Sequence, residues 1–393
     1  MVVDVTSSKK WRLLFFTSLS AFSNIQNTFA EMLEKGKTKI TSVFNFYHQN
    51  SDNGGQVIDN SGREETNVFE PMVFIEHQIT EDTALTGQIT FDAWTAASDT
   101  KLDSYTGASN GDPIKGQTRV SGNLGAKQEK GKWSYGAKLG FSSEYDYQSL
   151  NGSLNLSRSF ANDNFVLSLG IQYYSDQLSA FQDLSSPETA KIKSGLNRNI
   201  FSTNLTASQL LSPYEIIQFD LTFARSSGFL ESTANSVNVN GQRFFEELPD
   251  SRSRYALSTK YVRALTQDSA LHLSYRYYFD QWNIDSHTSR VAYLKEINDD
   301  EDFIEVSLRH HFQEKAKYYK DSFTIQESFM TSDSDMNQFH SYESGIYYKK
   351  NLEDSSYFGV KLENLTWSHG LVYYQRNTGL RLGYYQSSIS FEF

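Results

Sequence analysis

The sequence predicts an all-β fold: a transmembrane antiparallel up-and-down β-barrel of about sixteen strands, with short periplasmic turns and long extracellular loops. Three observations predict it. Apolar residues recur at every second position over stretches of about ten residues, the period of a strand with one apolar and one polar face. The polar breaks between these stretches alternate between short and long. Aromatic residues reach 15%, yet no apolar run approaches the roughly 18–20 residues that a membrane helix needs.

The chain divides into an export signal over 1–30 and a barrel over 31–393. Lys9, Lys10 and Arg12 form a basic start, and Leu13 to Phe22 is modestly apolar. Thr28-Phe29-Ala30 then places small residues three and one before a cleavage point ahead of Glu31, as signal peptides do. Losing this leader would take the net charge from −11 to −13. So acidic a protein would repel a phosphate backbone, which excludes nucleic acid as a partner. Cysteine is absent, so disulfides, thiolate metal sites, thiol nucleophiles and a lipoprotein anchor are excluded.

Alternation is plain in each stretch. Leu85, Gly87, Ile89, Phe91 and Ala93 oppose Thr86, Gln88, Thr90 and Asp92. Leu167, Leu169, Ile171 and Tyr173 oppose Ser168, Gly170, Gln172 and Asp176. Leu271, Leu273, Tyr275 and Tyr277 oppose His272, Ser274 and Arg276. Short breaks fall at 80–83, 127–132, 161–164, 211–215, 266–269, 296–302 and 350–356. Long ones fall at 49–66, 95–116, 177–198, 226–251 and 313–337, with briefer outer connections near 145–148, 281–287 and 367–378. Strands near ten residues cross a tilted bilayer, whereas those of a soluble sandwich are nearer five or six.

Aromatic residues gather at segment ends, as at Phe44/Phe46, Trp94, Trp133/Tyr135, Phe160, Tyr173/Tyr174, Tyr277/Phe279, Tyr357/Phe358 and Tyr384/Tyr385. Amphipathic rings at such positions suit the two membrane interfaces. The chain closes on Tyr385, Ile389, Phe391 and Phe393 along one face, an ending that resembles the signal read by the barrel-assembly machinery. That machinery and outer-membrane lipid are the expected partners, in a Gram-negative outer membrane.

Several strings resemble the bacterial outer-membrane family catalogued as domain of unknown function 3570. They are Asp92-Ala93-Trp94-Thr95-Ala96-Ala97-Ser98, Glu144-Tyr145-Asp146-Tyr147, Gly228-Phe229-Leu230 and Pro249-Asp250-Ser251-Arg252-Ser253-Arg254. The most specific runs from Tyr275 through Arg276, Asp280, Trp282 and Ile284 to Thr288. The loop after Leu230 departs from the Pro-Tyr continuation of the family pattern. The resemblance implies location and fold, and no activity.

Catalytic arrangements are weak. Ser286-His287, His340-Ser341 and Ser368-His369 are adjacent pairs, which a strand points to opposite faces. His272 and Ser274 share a face, but the lumen one, away from lipid. The acidic runs 298–302 and Asp333/Asp335 lack the Gly and terminal Glu of a calcium loop, and His310-His311 cannot jointly grip a metal. No cofactor is implied. The lumen face offers Asp92, Glu144, Arg276, Asp280, Glu305, Arg309, Glu343, Lys361 and Glu363 as lining residues, with Glu76, Lys138, Asp176, Asp220 and His311 beside them. Their net negative balance would favour cations or polar solutes over anions. Arg276 and Asp280, on one face of the most family-like string, form the expected Arg–carboxylate clamp for a plug or solute. The function expected is a porin-like conduit for small polar solutes. The alternatives are a non-conducting anchor, sleeve or receptor for a periplasmic or extracellular protein, docking through loops 229–248 and 318–329, and an outer-membrane hydrolase.

Overall fold

The computed structural model describes residues 32–51, 64–95, 117–181, 192–232, 236–298, 302–357 and 359–393. The leader, the centres of loops 52–63 and 96–116, the segment 182–191 and most of the acidic run 299–301 lie outside the described residues.

The strands are β1 (Thr38–Ser51), β2 (Glu64–Thr80), β3 (Thr83–Trp94), β4 (Gln117–Lys130), β5 (Trp133–Ser143), β6 (Tyr147–Phe160), β7 (Phe165–Phe181), β8 (Ile192–Ser212) and β9 (Glu215–Gly228). A small hairpin, β10 (Ser236–Val239) and β11 (Gln242–Phe245), follows. The wall resumes with β12 (Ser251–Ala264), β13 (Ser269–Asp280), β14 (Asp285–Glu296), β15 (Phe303–Gln313) and β16 (Phe339–Asn351). It ends with the short β17 (Ser355–Tyr357), β18 (Val360–Arg376) and β19 (Leu380–Glu392). Each wall strand pairs antiparallel with its neighbour, and β1 pairs with both β2 and β19, so the sheet closes on itself as a barrel of 16 strands. Closure removes every edge, the condition for a sheet to stand in lipid.

Register and burial settle which face is which. Leu124 of β4 lies opposite Leu139 of β5, and these residues are 76% and 75% exposed. Similar exposed apolar residues (Ile89, Leu150, Leu154, Leu221, Leu257, Leu308, Leu371) surround the wall. A water-soluble protein rarely carries so continuous an apolar belt, whereas a bilayer requires it. At the loop rim Phe223, Tyr255, Phe279 and Tyr277 form a chain of ring contacts 5.2, 5.0 and 5.6 Å apart. At the turn rim Arg158 lies over both Trp133 and Phe160 at 4.8 Å. Three of the aromatic positions differ from expectation. Register turns Trp94, Tyr174 and Tyr384 inward, because Ala93, Tyr173 and Tyr385 hold the outward places.

Several outer connections are shorter than the sequence suggests, because polar residues continue the strands beyond the lipid. β7 and β8 run to Phe181 and from Ile192, shrinking the connection read as 177–198. β18 continues to Arg376, so the supposed 367–378 connection is a tight turn at 377–379. Likewise β6 starts at Tyr147 and β14 at Asp285. The sixteen barrel strands, 11 to 21 residues long, overshoot the expected ten for the same reason.

Candidate functional site: a lidded lumen with two unlike walls

Two outer connections fold together over the barrel mouth. One, between β9 and β12, carries the β10–β11 hairpin; the other, 314–338 between β15 and β16, carries a single 3-10 turn at Ser334–Met336. Bridges join Val239 to Phe323 and Glu247 to Met330, and Val237, Val239, Phe323 and Met330 bury one another. A second cluster, Leu248, Trp282, Ile284, Ala316 and Tyr319, fastens this lid to the β13–β14 connection. Gly228 permits the chain to enter the lid. Its φ is +105°, and a Cβ there would lie 2.2 Å from the carbonyl oxygen of Asn197.

The lid also reaches the wall. Arg376 of β18 donates to Asp335 at 2.9 Å, Gln313 of β15 donates to the carbonyls of Asp335 and Asn337, and the sulfur of Met336 lies 3.9 Å from Arg252 of β12. Asp280 is the hub beneath it. Its carboxylate accepts from Arg252 Nε at 2.9 Å and from Arg252 Nη2, from Tyr278 Oη at 2.7 Å, and from the backbone N–H groups of Trp282 and Ile284. Arg252 lies over the Trp282 ring at 4.3 Å. The clamp therefore exists, with a different arginine. Arg276 does not pair with Asp280; it lies 5.8 Å from the Tyr278 ring and is exposed to the lumen. Arg252 lies one strand over, at the rim, where the β13–β14 turn folds Asp280 towards it, and same-strand alternation cannot reveal that.

Five of the remaining carboxylates are also paired with cations, four of them across neighbouring strands. Asp92 accepts from Arg119 at 2.6 Å, Asp176 from Arg198 at 3.0 Å, Glu305 from Arg290 at 2.5 Å and Glu343 from Arg309 at 3.3 Å. Glu363 meets Lys37 and Lys361, with Lys361 also 3.3 Å from Asp354. Lys361 and Glu363 thus belong to the turn-side rim, below a bulge in the β18–β19 ladder, and not to the lumen. Glu144 lies at the β5–β6 connection, where burial, reinforced by Asp146, pushes its carboxyl up to about 7. The expected net negative lining is corrected by these pairings. Sequence reading missed Arg119, Arg198, Arg252 and Arg290, all at polar alternation positions and all visible once neighbouring strands are aligned.

What remains is strongly uneven. Every inward position of β6 below Tyr147 is small or amide: Ser149, Asn151, Ser153, Asn155, Ser157 and Ser159. Inward positions of β12 to β16 instead carry Arg252, Arg254, Lys260, Arg276, Arg290 and Arg309, and the carboxylates there, Asp280, Glu305 and Glu343, take one cation each. His272 and Ser274 do share the inward face, but both ring nitrogens of His272 lack a hydrogen-bond partner, so no His–Ser dyad forms. His310 faces outward beside His340, and His311 faces inward against Thr288. Asp333 caps the 3-10 turn while Asp335 binds Arg376. Among the described residues no group of histidines and carboxylates could hold a metal ion.

A closed 16-strand wall with an apolar outer belt, a polar interior and a loop lid defines a transmembrane β-barrel of the outer-membrane type. The chain belongs to the family described as "Protein of unknown function (DUF3570)", which it matches over residues 18–387. A search of curated proteins gave no match. Similar solved structures include a bacterial polysaccharide outer membrane secretin, at 9% identity over 92% of this chain and 100% of that one, with a TM-score of 0.49. OccK1 (OpdK) of Pseudomonas aeruginosa is similar at 7% identity over 92% and 99%, TM-score 0.43. OmpT of Vibrio cholerae is similar at 10% over 93% and 100%, TM-score 0.42.

Proposed function

We propose that this barrel is a porin-like conduit for small polar solutes across a bacterial outer membrane, narrowed at its outer mouth by the lid. The observation that carries this is the inward face of β6. Near its ends Ser149, Ser157 and Ser159 bond to Asp176, Ser168 and Asp163, but between them the half-buried Asn151, Ser153 and Asn155 have no side-chain hydrogen bond among the described residues, and hydroxyl and amide groups left so cost roughly 1–3 kcal/mol each in a dry interior. A water-filled lumen satisfies them, and a barrel of this strand number is wide enough to leave one. Export through residues 1–30 and insertion by the barrel-assembly machinery complete the reading. Fractionation, with N-terminal sequencing expected to begin at Glu31, tests that route.

Single-channel recording of the refolded protein in planar bilayers is the direct test. Discrete conductance steps are expected. Silence from both the intact chain and a variant lacking residues 318–332 would overturn the conduit.

A second reading, a docking barrel for an extracellular protein, draws support from the lid surface, where Ile325, Phe329 and Phe245 are exposed. It predicts a stoichiometric companion on mild extraction from native membranes, and a bare barrel there would count against it.

A further inference from the structure

The cations of the charged wall are arranged in the hydrogen-bond register, and the arrangement selects a solute class. One row runs through Lys260 of β12, Ser274 of β13, Arg290 of β14 and Arg309 of β15 to Glu343 of β16. Like charges directly opposite, as at Arg290 and Arg309, are unfavourable unless something neutralises them. Glu305 and Glu343 do so for these arginines. No carboxylate pairs with Lys260, on which Glu305 and Asp220 act only from a distance, nor with Arg276 one inward step higher on β13. Among the described residues no carboxylate lies within ion-pair distance of either.

Asp220 is the nearest other acid on the β9 side, and it is engaged by Thr206 at 2.7 Å and by Gln218 at 3.0 Å. One inward step below the row, His272 is 3% exposed, with neither ring nitrogen hydrogen-bonded. The charged groups around it are Lys260 and Arg290. A buried imidazole N–H without an acceptor is costly and is satisfied by an oxyanion placed between these cations.

We propose that Lys260, Arg276 and His272 form a binding site for small solutes bearing a carboxylate or phosphate group, making the lumen anion-preferring. Lys260 and Arg276 supply charge, with Arg276 free to meet two oxygens at once. The row's Ser274 hydroxyl and the His272 ring supply neutral donors. The uncharged Ser/Asn wall opposite lets the remainder of the solute pass without competing for the anion. The selectivity rests on the conduit reading; the binding does not.

Two measurements separate the possibilities. Titration calorimetry with succinate, and separately with inorganic phosphate, is run on the refolded wild type, the Lys260→Gln/Arg276→Gln double variant and His272→Leu. Folding of each is checked by heat-modifiable gel mobility. Saturable binding is expected, weakened about tenfold or more in the double variant and several-fold in His272→Leu, with Lys260→Arg near wild type. The second measurement is the reversal potential of single channels in a KCl gradient, expected to show chloride preference that falls in the double variant. Binding without conductance would keep the site and remove the conduit. Conductance with cation preference, or binding unchanged in the double variant, would overturn the site and leave the conduit standing.

Discussion

The lumen wall from β5 to β9 and the wall from β12 to β16 meet the same requirement by opposite means. Apart from the Asp176–Arg198 pair, the first satisfies its inward groups largely with small neutral partners, across strands as from Ser157 to Ser168 at 2.6 Å or along one strand as from Asn204 to Thr206 at 3.1 Å. The second uses long charged side chains, most of them paired across strands, and carries the lid. Small side chains leave room, while long ones reach into the lumen and hold things. The contrast teaches that a barrel can keep one half permissive and give the other half its selectivity and its gate.

The largest effect is expected where the charged wall holds the lid. Asp280→Ala removes the acceptor of a buried arginine, a tyrosine hydroxyl and two backbone N–H groups together. Breaking a buried pair from one side costs roughly 3–5 kcal/mol. The cost should appear mainly as lid release, since barrel ladders do not depend on it. Segments 236–250 and 314–338 should lose hydrogen-exchange protection and become protease-sensitive, while β5 to β9 stay protected. Equal loss of protection in both walls would dissolve the distinction between them.

Next in size is a pH effect confined to the lid. Glu246 is 6% exposed, and burial pushes its carboxyl up to about 7, against hydrogen bonds from the Ser232 N–H and Thr331 that favour the charged form. Asp333 and Glu231 nearby act in the same direction as burial. A carboxyl raised on folding binds more protons in the folded lid than in the open one. Its stabilising contribution is therefore present at acid pH and lost as pH rises from its ordinary value of 4.5 through about 7. The lid should be tighter at pH 5 than at pH 8, by on the order of 2–3 kcal/mol. Exchange protection of 236–250 across that range measures it, and Glu246→Gln should flatten the profile. A lid tighter at pH 8 would contradict the assignment.

The division between what was legible in the sequence and what was not follows the range of the forces. Alternation is local, so Leu85 to Ala93 and the closing Tyr385-Ile389-Phe391-Phe393 face revealed the barrel and its lipid side without any tertiary knowledge. Turn positions were equally visible, because polar breaks interrupt an obligatory pattern. Pairing across strands is not local. Arg276 and Asp280 share a face four residues apart, yet Asp280 binds Arg252, 28 positions earlier in the chain. The same blindness produced the net negative lining, since Arg119 and Arg290 neutralise acids on other strands. The lid was hidden for a third reason: two loops distant in sequence bury Val237, Phe323 and Met330 only against each other.

The smallest effect isolates backbone from space, with one glycine at the lid junction and one in the permissive wall. Gly228 ends β9 where the lid begins, and its positive φ together with the Asn197 carbonyl leaves no room for a Cβ. Gly136 faces the lumen from β5, and a Cβ there would meet nothing closer than Asn155 at 3.6 Å, an ordinary contact. Gly228→Ala should therefore destabilise the junction by roughly 1–3 kcal/mol, read as a lower urea midpoint and a looser lid. Gly136→Ala should be neutral or stabilise by about 0.5 kcal/mol, because alanine loses less backbone freedom than glycine. Conductance should separate the two variants as well. Loosening the lid through Gly228→Ala should raise the open-channel current, whereas one methyl on the permissive wall should leave it unchanged. A fall in current from Gly136→Ala would place the narrowest passage at β5 and not beneath the lid.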